Sequence, residues 1–351
     1  MVEASAVLLH ETGAAPAVDL IEVDAPGPGE VRVRLRAAGV CRSDLHVIES
    51  GGWGMPLPVV LGHEGAGVVE ELGQGVDEVA VGDAVVLAWR SPCGECAFCL
   101  RGEPRRCPRP LRAKRRLRRS SDGAKLTPTL LVGAFSEYAV VHAGQAVKVP
   151  AELPAEHACL LGCAVATGVG AVTHTTPVWE GARVAVIGCG GVGLAAIQGA
   201  RIAGAAEIVA LDPDEGTHDA ALRLGATAAA TDPGDLKVDL AYEVVGRPEA
   251  LATALAILDH GGTATMIGVP KAGSSVELEL QPFFDVRGAL RVSHGGDHLP
   301  AEDFPWLARL ALDGKLDLAA MVTRTVGLDD VPAALDDLRS GHVGRTVAVL
   351  E

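Results

Sequence analysis

Two rhythms of apolar and polar positions divide the chain. From residue 5 to 149 short runs alternate, as in Val31-Arg-Val-Arg-Leu-Arg36, Gly65-Ala-Gly-Val-Val-Glu70, Ala84-Val-Val-Leu-Ala-Trp89 and Phe135-Ser-Glu-Tyr-Ala-Val-Val141, with Gly and Pro between them. Period-two alternation bounded by turn residues predicts half-buried strands, so this part reads as an all-β unit. From about residue 183 the apolar runs become continuous and alternate with Ala- and Leu-rich stretches at helical spacing. Strands are predicted at 183–188, 207–212, 239–245 and 263–269, and helices at 192–204, 218–225 and 249–260. That order predicts an α/β fold with a doubly wound parallel sheet. Amphipathic helices are predicted near 300–313 and 331–340, and a last strand at 346–350.

Composition narrows this picture. The 351 residues suffice for two domains at roughly 150 residues each. With 48% apolar and 21% charged residues, a disordered or fibrous chain is disfavoured. Five Phe, four Trp and two Tyr stand beside 43 Gly, so Ala, Val and Leu must fill the core. The opening stretch 1–13 carries Glu3 and Glu11 and no basic segment ahead of its apolar run, unlike a secretory leader. The uncharged stretches 158–177 and 184–200 are interrupted by His174 with several Thr, and by glycines, unlike a membrane span. A cytoplasmic protein with no membrane and no nucleic-acid partner is expected, the latter because the net charge is −15. The charge is uneven, however: 101–125 holds eleven of the 30 basic residues and only two acids, Glu103 and Asp122. Such runs are usually solvated faces, so a surface excursion is expected there.

Candidate chemistry begins with cysteine. Cys93, Cys96, Cys99 and Cys107 crowd into one loop at C-x2-C-x2-C-x7-C spacing. Four thiolates suit a closed tetrahedral zinc site, which is structural because no coordination position stays open. Disulfides are disfavoured in a reducing compartment, and four thiolates alone leave an iron–sulfur cluster open. A second motif, Gly188-Cys-Gly-Gly-Val-Gly193, ends a predicted strand and opens a predicted helix. Gly188, Gly190, Gly191, Val192 and Gly193 would bring backbone N–H groups and the helix N-terminus to a pyrophosphate. Asp212, nineteen residues after the last glycine, would meet the adenosine ribose hydroxyls. Asp214 and Glu215 follow it with no Arg nearby for a 2′-phosphate, which points to NAD over NADP.

Three more segments, Cys41-Arg-Ser-Asp-Leu-His46, Gly62-His-Glu64 and Leu161-Gly-Cys163, are ambiguous singly. Joined to the two motifs above and to the signature Gly62-His63-Glu64-x2-Gly67-x5-Gly73-x2-Val76, they resemble the zinc-dependent medium-chain alcohol dehydrogenase family along essentially the whole chain. The resemblance implies a GroES-like catalytic domain, 1–165 and 294–351, beside a Rossmann domain, 166–293, in a homodimer. It implies two zinc ions per subunit, one held by the four-cysteine loop and a catalytic one by Cys41, His63 and Cys163. Cys159 is a nearby decoy for the last ligand. Three protein ligands leave one position for a substrate oxygen, which then loses its proton near neutral pH.

By the same resemblance Ser43 accepts that proton, His46 passes it on, Asp44 orients His63 and Glu64 lies beside the zinc. Arg42 and Arg345 would hold the pyrophosphate, Thr167 would lie behind the nicotinamide, and Val269, in Gly268-Val-Pro270, along its carboxamide. Arg247 is placed with the cofactor residues, and Trp53 and Trp89 with the substrate pocket, where plain core filling is the competing reading of an indole. The family's usual Lys five residues after the ribose carboxylate is here Thr217. The implied activity is NAD-dependent interconversion of a primary alcohol and its aldehyde. Trp89-Arg-Ser-Pro-Cys93, Gly133-Ala-Phe135 and His142-Ala-Gly-Gln145 look most like actinobacterial members, which include mycothiol-dependent formaldehyde dehydrogenases. A protein that binds zinc and NAD without turnover is the alternative of another class, and an intact proton path argues against it.

Overall fold

The computed structural model describes every residue except Trp53, Arg115, Gly341, His342, Val343 and Glu351. The chain forms two compact units, the first of Met1–Cys163, Leu299–Asp313 and Val322–Glu351, the second of Ala164–His298 and Gly314–Met321.

In the first unit the alternating segments become two sheets. The smaller runs Leu117–Arg119, Ala17–Val23, Val2–Leu9, Val59–Val60, Thr127–Pro128. The larger runs Ala146–Lys148, Ala84–Leu87, Glu64–Leu72, Glu30–Gly39, Arg345–Val349, Val322–Val326, and Tyr138–His142 also pairs with Glu30–Gly39. Along Glu30–Gly39 the residues Val31, Val33 and Leu35 are fully buried while Arg34 and Arg36 are exposed, the alternation read from the sequence. These aliphatic faces and Phe135 form one core with Leu9, Leu61 and Leu87.

Strand register assembles the corner that matters for function. Gly39 lies opposite Glu64 on one side and opposite Val347 on the other. The chain therefore leaves this strand at Cys41 beside the start of one neighbour, Glu64, and the start of the other, Arg345. Gly39 is needed there because a Cβ would stand 2.1 Å from Glu64 Oε2.

The unit is not all β. A helix, Arg42–Ser50, follows the strand Glu30–Gly39 and buries Asp44, Leu45, Val47 and Ile48. Asp44 Oδ2 accepts the Cys41 N–H at 3.2 Å and caps its first turn, while Gly51, at φ 68°, ends it in the left-handed region that favours glycine.

The basic segment lies largely at the surface, as expected, but it is tied to the sheet at one end. Its strand Leu117–Arg119 pairs with Ala17–Val23. Glu30, itself buried, accepts from Arg116 Nε at 2.9 Å and from the Lys114 N–H at 2.7 Å. The Arg116 guanidinium and the Lys114 backbone thus stitch the segment to the sheet through Glu30, while most of its other basic side chains stay exposed.

The second unit holds six parallel strands in the order Ala228–Ala230, Glu207–Leu211, Arg183–Ile187, Val238–Glu243, Leu258–Met266, Ala289–Val292. Order reverses around Arg183–Ile187, and a ligand crevice lies beyond the carboxyl ends of strands at such a point. Helices Gly191–Ile202, His218–Leu224 and Pro248–Ala256 are close to expectation. Predicted helix 249–260 overran into the strand that starts at Leu258. Among the described residues no single helix is long and apolar enough to cross a membrane. Ala155–Gly162 and Ala164–Thr175 reach that length only together, across a 53° bend.

Candidate active site

Cys41, His63, Glu64 and Cys163 each place a ligand atom within 4.8 Å of those of the other three. Asp44 organises the group. Its Oδ1 lies 3.1 Å from His63 Nδ1 and accepts the Gly62 N–H at 3.3 Å, while Oδ2 holds the Cys41 N–H. A carboxylate only accepts, so Nδ1 carries the proton and Nε2 presents its lone pair to the cluster. His63 is fully buried, and Nε2 has no partner among the described residues. Leaving a buried polar nitrogen unpaired costs free energy, and a cation at the centre of the group removes that cost. Against burial, Asp44 holds the imidazole well above its ordinary basicity, which makes it a stronger ligand.

The two thiols of the group shift in opposite directions: the hydrogen bond with Cys41, and then burial, push the Cys163 thiol well above its usual value. A hydrogen bond from Cys163, and then the charges of Arg345 and His63, lower the Cys41 thiol well below its usual value despite burial. Glu64, fully buried, has its carboxyl pushed up to about 8 by desolvation, against the pull of Arg345. Arg345 Nη2 lies 3.0 Å from Glu64 Oε1, an ion-pair contact without the alignment of a hydrogen bond, and Nη1 donates to the Val40 carbonyl at 2.9 Å. Ser43 Oγ stands 3.8 Å from Cys41 Sγ, and His46 lies one turn further along the same helix. Cys159 turns its thiol to the Glu156 carbonyl at 3.4 Å and takes no part in the group.

The four-cysteine loop gathers its sulfurs at 3.5 Å for Cys96–Cys99, 3.8 Å for Cys96–Cys107 and 3.6 Å for Cys93–Cys107, with every cysteine free. Sulfurs at the corners of a tetrahedron with zinc–sulfur bonds of about 2.3 Å are about 3.8 Å apart, so the loop has the dimensions zinc requires. The Cys99 amide, foremost, draws the Cys96 thiol down to about 7. Arg90 Nη2 donates to the Arg105 and Cys107 carbonyls at 2.7 and 3.2 Å, and Arg105 Nη1 donates to Asp303 Oδ2 at 3.0 Å, which fixes the loop to the helix Pro300–Leu312.

In the second unit Gly188, at φ 99°, turns the chain out of its strand and Gly190 caps the helix Gly191–Ile202. A Cβ on Gly193 would stand 1.9 Å from the Gly188 carbonyl, so the turn closes only over glycine. Asp212 Oδ2 accepts the Cys189 N–H at 2.7 Å and Oδ1 the Asp214 N–H at 3.0 Å, which puts the carboxylate against the glycine turn.

Residues 27–151 match the family of alcohol dehydrogenase GroES-like domains, and residues 191–313 that of zinc-binding dehydrogenases. An S-(hydroxymethyl)glutathione dehydrogenase of Escherichia coli is 36% identical, over 94% of this chain and 95% of that one. The chain belongs to the zinc-dependent medium-chain alcohol dehydrogenase family. Its GroES-like and Rossmann parts are those of solved members. An alcohol dehydrogenase zinc-binding domain protein from Burkholderia ambifaria superimposes with TM-score 0.93 at 33% identity, covering 100% of this chain and 99% of that one. A benzyl alcohol dehydrogenase from Acinetobacter calcoaceticus gives 0.91 at 28% identity, with both chains covered to 100%.

The remaining dehydrogenase positions scatter in character. Arg42 and Arg247 are exposed, Val269 is 44% exposed, and Thr167 is buried in the helix Ala164–Gly170. Arg345 is only 5% exposed, its fork turned to Glu64 and Val40. Trp89 is partly buried and packs on the first unit's core, while Trp53 lies outside the described residues. One residue near the glycine turn escaped the sequence reading. Glu243 ends the strand Val238–Glu243 with its carboxylate fully buried, and its signal was an acid directly after the apolar run Leu240-Ala-Tyr242.

Proposed function

We propose that this member of the family is an NAD-dependent dehydrogenase that interconverts a primary alcohol and its aldehyde. The observation that carries the reading is the unpartnered, Asp44-oriented Nε2 of His63 facing the Cys41 and Cys163 thiols. Cys41, His63 and Cys163 would hold the catalytic zinc, and Cys93, Cys96, Cys99 and Cys107 the structural one. Zinc at the first set supplies Lewis acidity that lowers the pKa of an alcohol hydroxyl. Around it, Asp44 holds the His63 ring, Ser43 takes the hydroxyl proton from the substrate and His46 relays it. Glu64 and Arg345 balance charge beneath the thiolates, and Arg345 together with Arg42 meets the pyrophosphate. Gly188, Gly190, Gly191, Val192 and Gly193 receive that pyrophosphate on backbone N–H groups, and Asp212 takes the ribose hydroxyls, which favours NAD. Thr167, Arg247 and Val269 would face the cofactor as well, and Trp89 the substrate.

A homodimer fits this reading: Ala289–Val292 is the sheet's edge strand and leaves Leu290 44% and Val292 61% exposed, a row of apolar side chains and unpaired backbone groups suited to a second copy. The 36% identical relative named for a thiol adduct of formaldehyde supports a second substrate reading, oxidation of an S-hydroxymethyl thiol. NADH absorbance over a panel of alcohols and aldehydes, with formaldehyde given alone and with a low-molecular-weight thiol, tests both. NADH formation from primary alcohols is expected. Formation only with formaldehyde and thiol together would favour the second reading, and no turnover by zinc-loaded protein would overturn both.

A further inference from the structure

Beside the glycine turn lies a buried acid to which no role has been given. Glu243 is wholly buried at the carboxyl end of the strand between Arg183–Ile187 and Leu258–Met266. Its Oε1 accepts two successive backbone N–H groups, Val245 and Gly246, each at 2.6 Å. Its Oε2 has no partner among the described residues. Its own carbonyl accepts the Ile267 and Gly268 N–H groups at 2.8 and 3.1 Å. One residue thus ties down the segments leaving two adjacent strands.

Those segments are the walls of the glycine turn. A Cβ built on Gly188 would stand 2.6 Å from Val245 Cγ2 and 3.0 Å from Val244 Cγ2, so the two valines lie directly against the turn. On the other side, a Cβ on Gly268 would stand 1.9 Å from the Gly246 nitrogen, and one on Gly246 2.4 Å from the Val269 carbonyl. The three segments are thus in close approach at Gly188, Gly246 and Gly268. A carboxylate that loses water costs free energy unless it gains hydrogen bonds in exchange, and burial pushes the Glu243 carboxyl up while the Gly246 and Val245 amides hold it down. A buried leucine would fill the space without that cost but would leave the Val245 and Gly246 N–H groups without this acceptor.

We propose that Glu243 is a positioning residue for the cofactor: its carboxylate locks the 244–247 turn, and through it sets the spacing between the 188–193 phosphate turn and the 268–269 segment. The inference rests on the reading that 188–193 receives NAD. Its effect is therefore on cofactor affinity and not on the chemistry at Cys41, His63 and Cys163.

The test compares zinc-loaded wild type with Glu243→Ala and Glu243→Gln, reading the NADH dissociation constant by nicotinamide fluorescence, KM for NAD, kcat, zinc per chain and thermal midpoint. Glu243→Ala, which loses an acceptor shared by two N–H groups, is expected to weaken NADH binding and raise KM for NAD about tenfold or more, with kcat and zinc content near wild type. Glu243→Gln keeps an oxygen in the same place and should restore both constants to within about twofold. Should Glu243→Ala not fold, Glu243→Asp withdraws the oxygen by one methylene and is expected to show the same loss. Unchanged NADH affinity in the Ala variant, or in Asp where Ala is insoluble, overturns the inference, as does a fall in kcat and midpoint with KM unmoved. Wild type that binds neither NADH nor NADPH overturns the reading of the glycine turn, and the inference with it.

Discussion

The two thiolate-rich groups of this chain are built in opposite ways. The four-cysteine loop takes every donor from 93–107, a stretch with no strand and only short helical turns, and Cys93 and Cys99 keep partial exposure. The other group draws Cys41, His63, Glu64 and Cys163 from distant points, three of the four fully or nearly buried, and relies on strand register to bring them together. A closed set of sulfurs with little core of its own shapes a loop. An incomplete set, buried and backed by Asp44 and Arg345, is a place where a further ligand changes the chemistry. Damage to the first should therefore appear in stability and damage to the second in turnover.

Substitutions sharpen that contrast. Cys163→Ala should produce the largest change, a loss of at least about 10³-fold in kcat/KM, since Lewis-acid stabilisation of several kcal/mol disappears while the thermal midpoint stays close to wild type. Asp44→Ala, which frees both the His63 ring and the Cys41 amide, should cost about 10- to 100-fold in activity or in metal affinity measured by chelator titration. Asp212→Ala should lower kcat/KM for NAD roughly tenfold and narrow the preference over NADP, while leaving zinc content at wild-type level. Cys96→Ser should do the reverse of Cys163→Ala: turnover per folded molecule within about twofold, but a thermal midpoint lower by at least about 5 °C and one zinc fewer by metal analysis. Arg105→Ala should be mildest, about 1 kcal/mol and 1–2 °C, because the links it removes from the loop to Asp303 and Glu302 are partly exposed. A Cys96→Ser protein that melts like wild type but has lost turnover would reverse the assignment of the two groups.

What could be read without coordinates was local. The 93–107 cysteines, the 188–193 glycines and Asp212 lie within short windows, and their spacing carries the geometry, so the structure adds distances more than identities. The Rossmann alternation was legible because its strands are apolar on both faces. The helix Arg42–Ser50 was not, since its cap is a cysteine and its first turn carries Arg, Ser and Asp. Edge strands Ala289–Val292 and Val322–Val326 were hidden for a related reason: their exposed residues break the buried pattern. Contacts such as Arg105 with Asp303, 198 residues apart, and Arg345 with Glu64 follow from topology and leave no periodic trace. The role of Glu243 belongs with these, because two backbone amides and a packed turn are invisible to composition.

Cobalt replacing zinc reports directly on which group meets the substrate, because thiolate-bound cobalt absorbs visible light and responds to a change in its ligands. The spectrum of the cobalt-loaded enzyme with NADH should shift on adding a substrate aldehyde, the shift should persist in Cys96→Ser, and it should vanish in Cys163→Ala. A shift that disappears in Cys96→Ser and survives in Cys163→Ala would contradict the placement of the chemistry at Cys41, His63 and Cys163.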